Sequence, residues 1–369
     1  MDKKIIFFDS ISGANHNIIL LDGIGASEYQ LYSLIKHISE KFTTICFNKT
    51  DNEYNLDKIS YKPLNNFVNY EIDKTDIIVF QRVYLIDDYI INKLKYNLKY
   101  IWCHDIFNIG ILTGYNKIII EKCENNIVLF KEYLYSEFVN NPFVYFICTS
   151  NFGKEGCINF FLNYNIELNE KKCIMIYNIL YEEEFLPIKN IIDCKIDKNL
   201  IVYASAWYKG IDKILNMFAI LYDKDNELKL ALLTPGYDIN IVNYYSPLIK
   251  EKFKDSVIIY GKQNKHNYCK IIKSALCVLS PRFKETFGCV FAESYYIGTP
   301  VIADIQSGAV NEIIDNSYII NYDNIDEIYE KIIFLKENRD SINITLRNEM
   351  LFDHNFNLWC NLFTESTEK

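Results

Sequence analysis

The stretch SPRFKETFGCVFAESYYIGTPVIAD, residues 280–304, reads as a strand end, a loop, a glycine, a helix and a second strand. Its lead-in ALCVLS (275–280) and its exit PVIAD (300–304) are apolar strand-like runs, and a helical pattern runs from Gly288 to about Tyr296. A strand that passes through a helix into another apolar strand is a βαβ unit. The sheet it builds is parallel and covered on both faces, which is why its strands are apolar throughout rather than alternating. Glu285 and Glu293 flank the helix start with seven residues between them.

Outward from this unit the same alternation fills the chain. Candidate strands are KKIIFFD (3–9), FTTICF (42–47), DIIVF (76–80), KYIWC (99–103), VYFICT (144–149) and CIMIY (173–177), followed by LIVYAS (200–205), LKLALLT (228–234) and SVIIY (256–260). Between the first two lies a helix over 26–40, with Leu31, Leu34, Ile35 and Ile38 on one face at the i, i+3, i+4, i+7 spacing. Strands alternating with helices give α/β architecture with parallel sheets. The polar segment YEEEFLPIKNIIDCKIDKN (181–199), with Pro187 inside it, reads as a linker between two such units. Ligands of open parallel sheets bind at the carboxyl ends of strands, so functional residues are expected just after the strands.

Composition narrows the function. The chain has 369 residues, 24% of them charged, and a net charge of −9 without any Lys/Arg block. Nucleic-acid binding rests on clustered positive charge, and none is present. No apolar run approaches the roughly 18–20 residues of a membrane span, and the apolar run after Met1 is too short for a secretory signal. A cytoplasmic protein without an integral membrane segment is expected, with peripheral association left open. The 11 cysteines form no C-x-x-C pair. They read as small buried apolar residues, with neither a disulfide framework nor a zinc site indicated.

The 280–304 unit also suggests chemistry. A helix N-terminus offers unpaired N–H groups and a positive dipole end, a natural seat for a diphosphate. Gly288 lets an anion approach the backbone closely. Glu285, before the helix, can accept hydrogen bonds from sugar hydroxyls, and Glu293, about one and a half turns in, can reach the vicinal hydroxyls of a ribose. A bare E-x7-E pair is more often two exposed glutamates on a surface helix. The full string E-T-F-G-x-x-x-x-E-S-x-x-x-G-T-P-V-I-A is far more specific.

That string resembles the donor-binding signature of the retaining GT-B glycosyltransferases, especially glycosyltransferase family 4. Further segments are similar in order along the chain. IGASEYQLYSLIK (24–36) resembles the family's glycine-rich loop after the first strand, and WCHDIF (102–107) its His-Asp pair. YASAWYKGIDKIL (203–215) resembles the phosphate-binding strand-loop-helix, and IIYGKQNKHNYCKIIKSALCVLSP (258–281) the run with a base-contacting loop. QSGAVNEII (306–314) resembles the following glycine loop, and FDHNFNLWCNLF (352–363) the last helix, which returns to the N-terminal domain.

The resemblance implies a GT-B fold, two Rossmann-like domains facing a central cleft. Residues 1–180, with a crossing helix at about 350–369, would form the acceptor domain, and residues 185–349 the nucleotide-sugar donor domain. The activity implied is transfer of a hexose-type sugar, with retention, from a UDP- or GDP-type donor to a glycan, lipid-linked or other hydroxyl acceptor, with no obligatory metal or cofactor.

By carry-over Glu285 holds donor-sugar hydroxyls, and Lys209 neutralises charge on the leaving diphosphate. His104 lies near the donor sugar. Backbone groups near Thr286, Phe287, Gly288 and Cys289 serve sugar and diphosphate, Glu293 binds the ribose, and Gly25 and Gly210 face the phosphates. Tyr260 and Gly261 belong to the base-contacting loop. Asp105 and Glu28 match weaker positions, and each also suits a turn or a helix start.

Two departures stand out. Gly25 is followed by Ala26 where the family has a second glycine, and Ser205 stands where the family has an arginine. Only Arg82, Arg282, Arg339 and Arg347 are present, and Arg82 and Arg282 follow strands and are candidates to substitute. Asp223-Lys224-Asp225 has a metal-binding spacing but sits in a turn between a helix and a strand. The competing expectations are another GT-B activity, such as a sugar-nucleotide epimerase, or a non-catalytic sugar-nucleotide-binding subunit, which Ser205 keeps open.

Overall fold

The computed structural model describes residues 3–10, 12–13, 15, 25–81, 92–104, 126–191, 194–234 and 239–365. They divide into two compact units. One takes its residues from 1–19, 26–179 and 353–369, the other from 20–25 and 180–352.

The strands of the first unit are β1 (Lys4–Phe8), β2 (Thr43–Asn48), β3 (Tyr54–Leu56), β4 (Ile59–Pro63), β5 (Ile77–Gln81), β6 (Leu98–Cys103), β7 (Val144–Cys148) and β8 (Cys173–Met175). They pair in the order β3-β4-β2-β1-β5-β6-β7-β8. Every pairing is parallel except β3 with β4, a hairpin turning at Asp57, whose φ is +52°. Ile5, Ile6 and Phe7 of β1 and Ile78, Val79 and Phe80 of β5 are fully buried, because both faces of these central strands are covered. On the Ala26–Ile38 helix, Leu31, Leu34, Ile35 and Ile38 are all buried, as their spacing predicts. The Phe352–Glu365 helix joins this unit: Trp359 lies against Trp102 of β6, ring centroids 4.9 Å apart, and Phe363 meets Phe7 edge-on at 6.4 Å.

The second unit is built on β9 (Asp197–Tyr203), β10 (Lys229–Leu232), β11 (Val257–Ile259), β12 (Ala275–Ser280), β13 (Val301–Asp304) and β14 (Ile319–Ile320). Their order is β11-β10-β9-β12-β13-β14, all parallel. The order reverses direction between β9 and β12. At such a switch point the connections after two neighbouring strands leave to opposite sides and open a crevice at their carboxyl ends.

Eleven of these fourteen strands coincide with runs read from the sequence. The hairpin β3–β4 and the two-residue β14 do not: β3 and β14 are edge strands of three and two residues, and β4, ISYKP, mixes polar residues and a proline into its five positions. Residues 181–199 are also corrected. Most of the expected linker is ordered secondary structure of the second unit: a helix over Glu182–Lys189, then the start of β9. Phe185 and Ile188, one turn apart, are buried against the helices Lys265–Ser274 and Cys289–Ile297. Three glutamates in the first turn suit the positive end of the helix. Pro187 removes one backbone donor near the end of a short helix, and the burial of Phe185 and Ile188 outweighs that loss.

Candidate functional site

Lys209 and Glu285 are 76 residues apart in the chain, and the sheet brings them together. Lys209 follows β9 and Glu285 follows β12, the two strands flanking the switch point. Lys209 Nζ donates to Glu285 Oε1 at 2.8 Å and lies 3.0 Å from Oε2, a contact that straddles the carboxylate. Phe283 lies alongside, its ring 5.3 Å from the ammonium. The turn that presents Lys209 is fixed by the Tyr203 hydroxyl, which donates to Ala206 O at 2.7 Å. Burial, and then the Glu285 charge, push the Tyr203 phenol far above its ordinary pKa, so it stays a donor. Gly210, at φ +115°, ends the turn and opens the Ile211–Lys224 helix. A Cβ there would come within 3.0 Å of Pro281, so this glycine lets the two loops touch.

The loop carrying Glu285 is held from beneath by the loop after β13. Ser307 Oγ donates to Pro281 O at 3.1 Å, and Ala309 N to Glu285 O at 3.0 Å. Gly308, at φ +68°, makes this possible: a Cβ on it would lie 2.0 Å from Glu285 O. Arg282 anchors the same loop. Its guanidinium meets Asp304 at 3.1 Å through both Nε and Nη2, and Asp323 at 2.8 Å. Asp304 is fully buried and also accepts from Gln306 N and Tyr322 N. Arg282 is therefore committed to carboxylates and is not a replacement for the arginine missing at Ser205. Arg339 is buried on Leu276 O, and Arg82 and Asp105 lie outside the described residues.

After Glu285 the chain passes buried Thr286 and Phe287 to Gly288, whose φ is +83°. The Cys289–Ile297 helix begins there without a side-chain cap, so its positive end follows directly on the loop that carries Glu285. Cys289 is in its first turn. Glu293, one turn on, is buried and ion-paired with Lys265. Burial alone would lower the Lys265 pKa, but the Glu293 charge and its hydrogen bond, with Cys269 and Glu184 nearby, more than offset this and leave it raised. Burial, and then the Glu293 charge, push the Tyr268 phenol well above its ordinary pKa.

Lys265 begins the helix that follows Tyr260 and Gly261. Tyr260 is exposed, its N–H donates to Leu232 O at 3.0 Å, and Gly261 turns the chain at φ +63°. Asn264 caps that same helix, its side chain accepting from Asn267 N at 2.9 Å. The loop expected to contact a base is thus tied through Lys265 to the carboxylate expected to bind a ribose. The sequence reading missed Lys265, Tyr268 and Gly308 as members of this site. Gly308 could have been found from the glycine in QSGAVNEII, whereas nothing local marks Lys265 or Tyr268.

Gly25, the last residue of the 20–25 segment counted with the second unit, stands immediately before the Ala26–Ile38 helix of the N-terminal unit, and Glu28 lies in that helix's first turn. His104 follows β6, buried, with its ring 4.4 Å from that of Trp102. Asp225 of the Asp-x-Asp turn is ion-paired with Lys336, and Lys224 with Asp326, which explains that turn as helix-end charge pairing.

The second unit therefore combines a helix start without a side-chain cap, a lysine–carboxylate pair in the loops before it and a buried carboxylate one turn along. Residues 188–350 match the family model described as glycosyl transferases group 1. Among solved structures, a glycosyltransferase from Rickettsia africae ESF-5 superposes with a TM-score of 0.72 at 16% identity, over 100% of this chain and 99% of that one. Sucrose-phosphate synthase from Thermosynechococcus elongatus gives 0.67 at 14% identity, over 98% of each. Anabaena HepE in complex with UDP and glucose gives 0.63 at 12%, over 99% of this chain and 100% of that one. At these identities the likeness is one of fold: the α/β architecture with two parallel-sheet domains is that of the GT-B class. No curated protein matches the sequence.

Proposed function

We propose that this chain, whose residues 188–350 fit the group 1 glycosyltransferase model, transfers a sugar with retention from a nucleotide-diphosphate donor to a hydroxyl acceptor. The observation that carries the reading is the meeting of Lys209 and Glu285 at the uncapped start of the Cys289–Ile297 helix, with Glu293 one turn along. The diphosphate sits at the helix start, where Lys209 stabilises the charge that grows as the sugar leaves. Such electrostatic stabilisation by one placed group is worth about 3–4 kcal/mol. Glu285 takes the sugar hydroxyls that replace its contact with Lys209. Glu293 takes the ribose, and Tyr260 and Gly261 lie where the base binds. A UDP-type donor is favoured by analogy with HepE, whose structure holds UDP and glucose. His104 and Gly25 are assigned by resemblance, with the N-terminal unit, residues 1–180 and the C-terminal helix, supplying the acceptor.

The test is a thermal-shift screen with nucleoside diphosphates and their sugars, followed by donor hydrolysis. At a hundred times Kd a ligand stabilises the folded state by about 2.7 kcal/mol, a shift of roughly 5–10 °C for a unit of this size. One nucleoside diphosphate should give that shift, and Glu293→Ala should abolish it. No shift with any of them would sink the reading. Ser205 favours a second one, a sugar-nucleotide-binding subunit without turnover. Its signature is a clear shift with no nucleotide released from any donor.

A further inference from the structure

The sequence reading treated the cysteines as scattered apolar residues, but the fold gathers several of them. The β6–β7 register sets Cys103 beside Cys148, and the β7–β8 register sets Cys173 beside Phe146. Residues 146 and 148 share a face of β7, so all three thiols lie on one side of the sheet. The Asn151–Leu162 helix leaves β7 and packs on that side, bringing Cys157. The Sγ atoms of Cys148, Cys157 and Cys173 lie within 4.8 Å of one another, and those of Cys157 and Cys173 are 3.5 Å apart. The Cys103 thiol, across from Cys148 in the register, donates to Ile101 O at 3.4 Å. Among the described residues this is the one group of three or more potential metal ligands that converges so closely.

We propose that Cys148, Cys157 and Cys173 form a buried site for a thiophilic d10 cation, with zinc(II) as the fitting case. A zinc–thiolate bond of about 2.3 Å puts the sulfurs of a tetrahedral set roughly 3.8 Å apart. The observed spacing reaches that value with side-chain shifts smaller than a bond length. The donor set is all sulfur, which selects soft d10 cations over magnesium or calcium. Binding releases one proton per coordinated thiol, so three thiols and Zn2+ give a site of net charge −1. Lys154, on the same helix as Cys157 and ion-paired with Glu170 at 3.6 Å, is the nearby cation on that helix. The thiols are buried, so the cation enters as the unit folds and joins β6, β7, β8 and the helix. Its place is structural, under the strand that leads to His104, and it is independent of the proposed transfer reaction.

The full chain is purified under reducing conditions and its metal content measured. It is then unfolded with reductant and chelator and refolded with zinc, with cobalt or with chelator alone. The expected results are about one zinc per chain, thiolate-to-cobalt charge-transfer absorption in the cobalt form, and a lower Tm after refolding with chelator. Cys157→Ser should lose the cobalt band, and Cys46→Ser, buried elsewhere, should keep it. The wild-type cobalt spectrum decides the matter even if Cys157→Ser fails to fold. The proposal is overturned if the wild type takes up no metal and refolds with the same Tm with and without zinc.

Discussion

Gly308→Ala tests whether the loop after β13 sets the position of Glu285. The new Cβ would sit 2.0 Å from Glu285 O, 2.8 Å from its N and 2.9 Å from its carbonyl carbon. These are backbone atoms, so no rotamer change relieves the contact. Restoring an ordinary separation moves the Glu285 backbone by about 1 Å, a displacement of the kind that costs about 100-fold in rate when it misplaces a reacting group. The φ of +68° adds about 1 kcal/mol of strain for any residue with a Cβ, and losing the Ala309 N to Glu285 O bond adds about 1 kcal/mol more. Together, roughly 2 kcal/mol lowers Tm by about 4–8 °C. Gly298→Ala is the control: its φ is +93°, but no atom lies within 4 Å of the added Cβ, so it incurs the strain without the clash. The assay is release of nucleotide from the donor found in the thermal-shift screen, with Tm measured in parallel. Gly308→Ala should lose about 100-fold in kcat/KM, and Gly298→Ala should lose stability with turnover kept. Equal turnover in the two variants would refute the claim that the Gly308 contact positions Glu285.

Lys209→Met should lower kcat by about 100- to 1,000-fold while changing Tm little, since its ion pair is partly solvated and such pairs contribute about 1 kcal/mol or less; steady-state kinetics beside thermal unfolding checks both halves. Glu293→Ala leaves Lys265 in a largely buried site without its main partner. Urea unfolding should show a loss of about 3–5 kcal/mol, and Glu293→Ala with Lys265→Met should recover part of it. Lys99 is buried and, mainly through that burial, its pKa falls from 10.5 to about 8. The unfolded chain therefore binds more protons than the folded one between those values, and stability rises with pH across that window. The ammonium costs on the order of 3 kcal/mol at neutral pH. Comparing unfolding of the wild type and Lys99→Met from pH 7 to 11 should show that rise only in the wild type.

The sequence by itself determined eleven of the fourteen described strands, their parallel arrangement and the candidate donor loop. Those features are written in local patterns: apolar runs of strand length, helical spacing such as Leu31, Leu34, Ile35 and Ile38, and the string from Glu285 to Glu293. Local patterns say nothing about which strands become neighbours. Lys209 meets Glu285 only because β9 and β12 pair at the switch point. Glu293 lies beside Lys265 only because two helices after different strands pack together. Gly308 matters only because the β13 loop lies under the β12 loop. The same limit explains the errors. Pro187 and a run of charge suggested a linker at 181–199, and burial of Phe185 and Ile188 decided for a helix. The thiols of Cys148, Cys157 and Cys173 come from two strands and a helix. Strand register and the packing of that helix bring them within 4.8 Å of one another, although their spacing along the chain shows no motif.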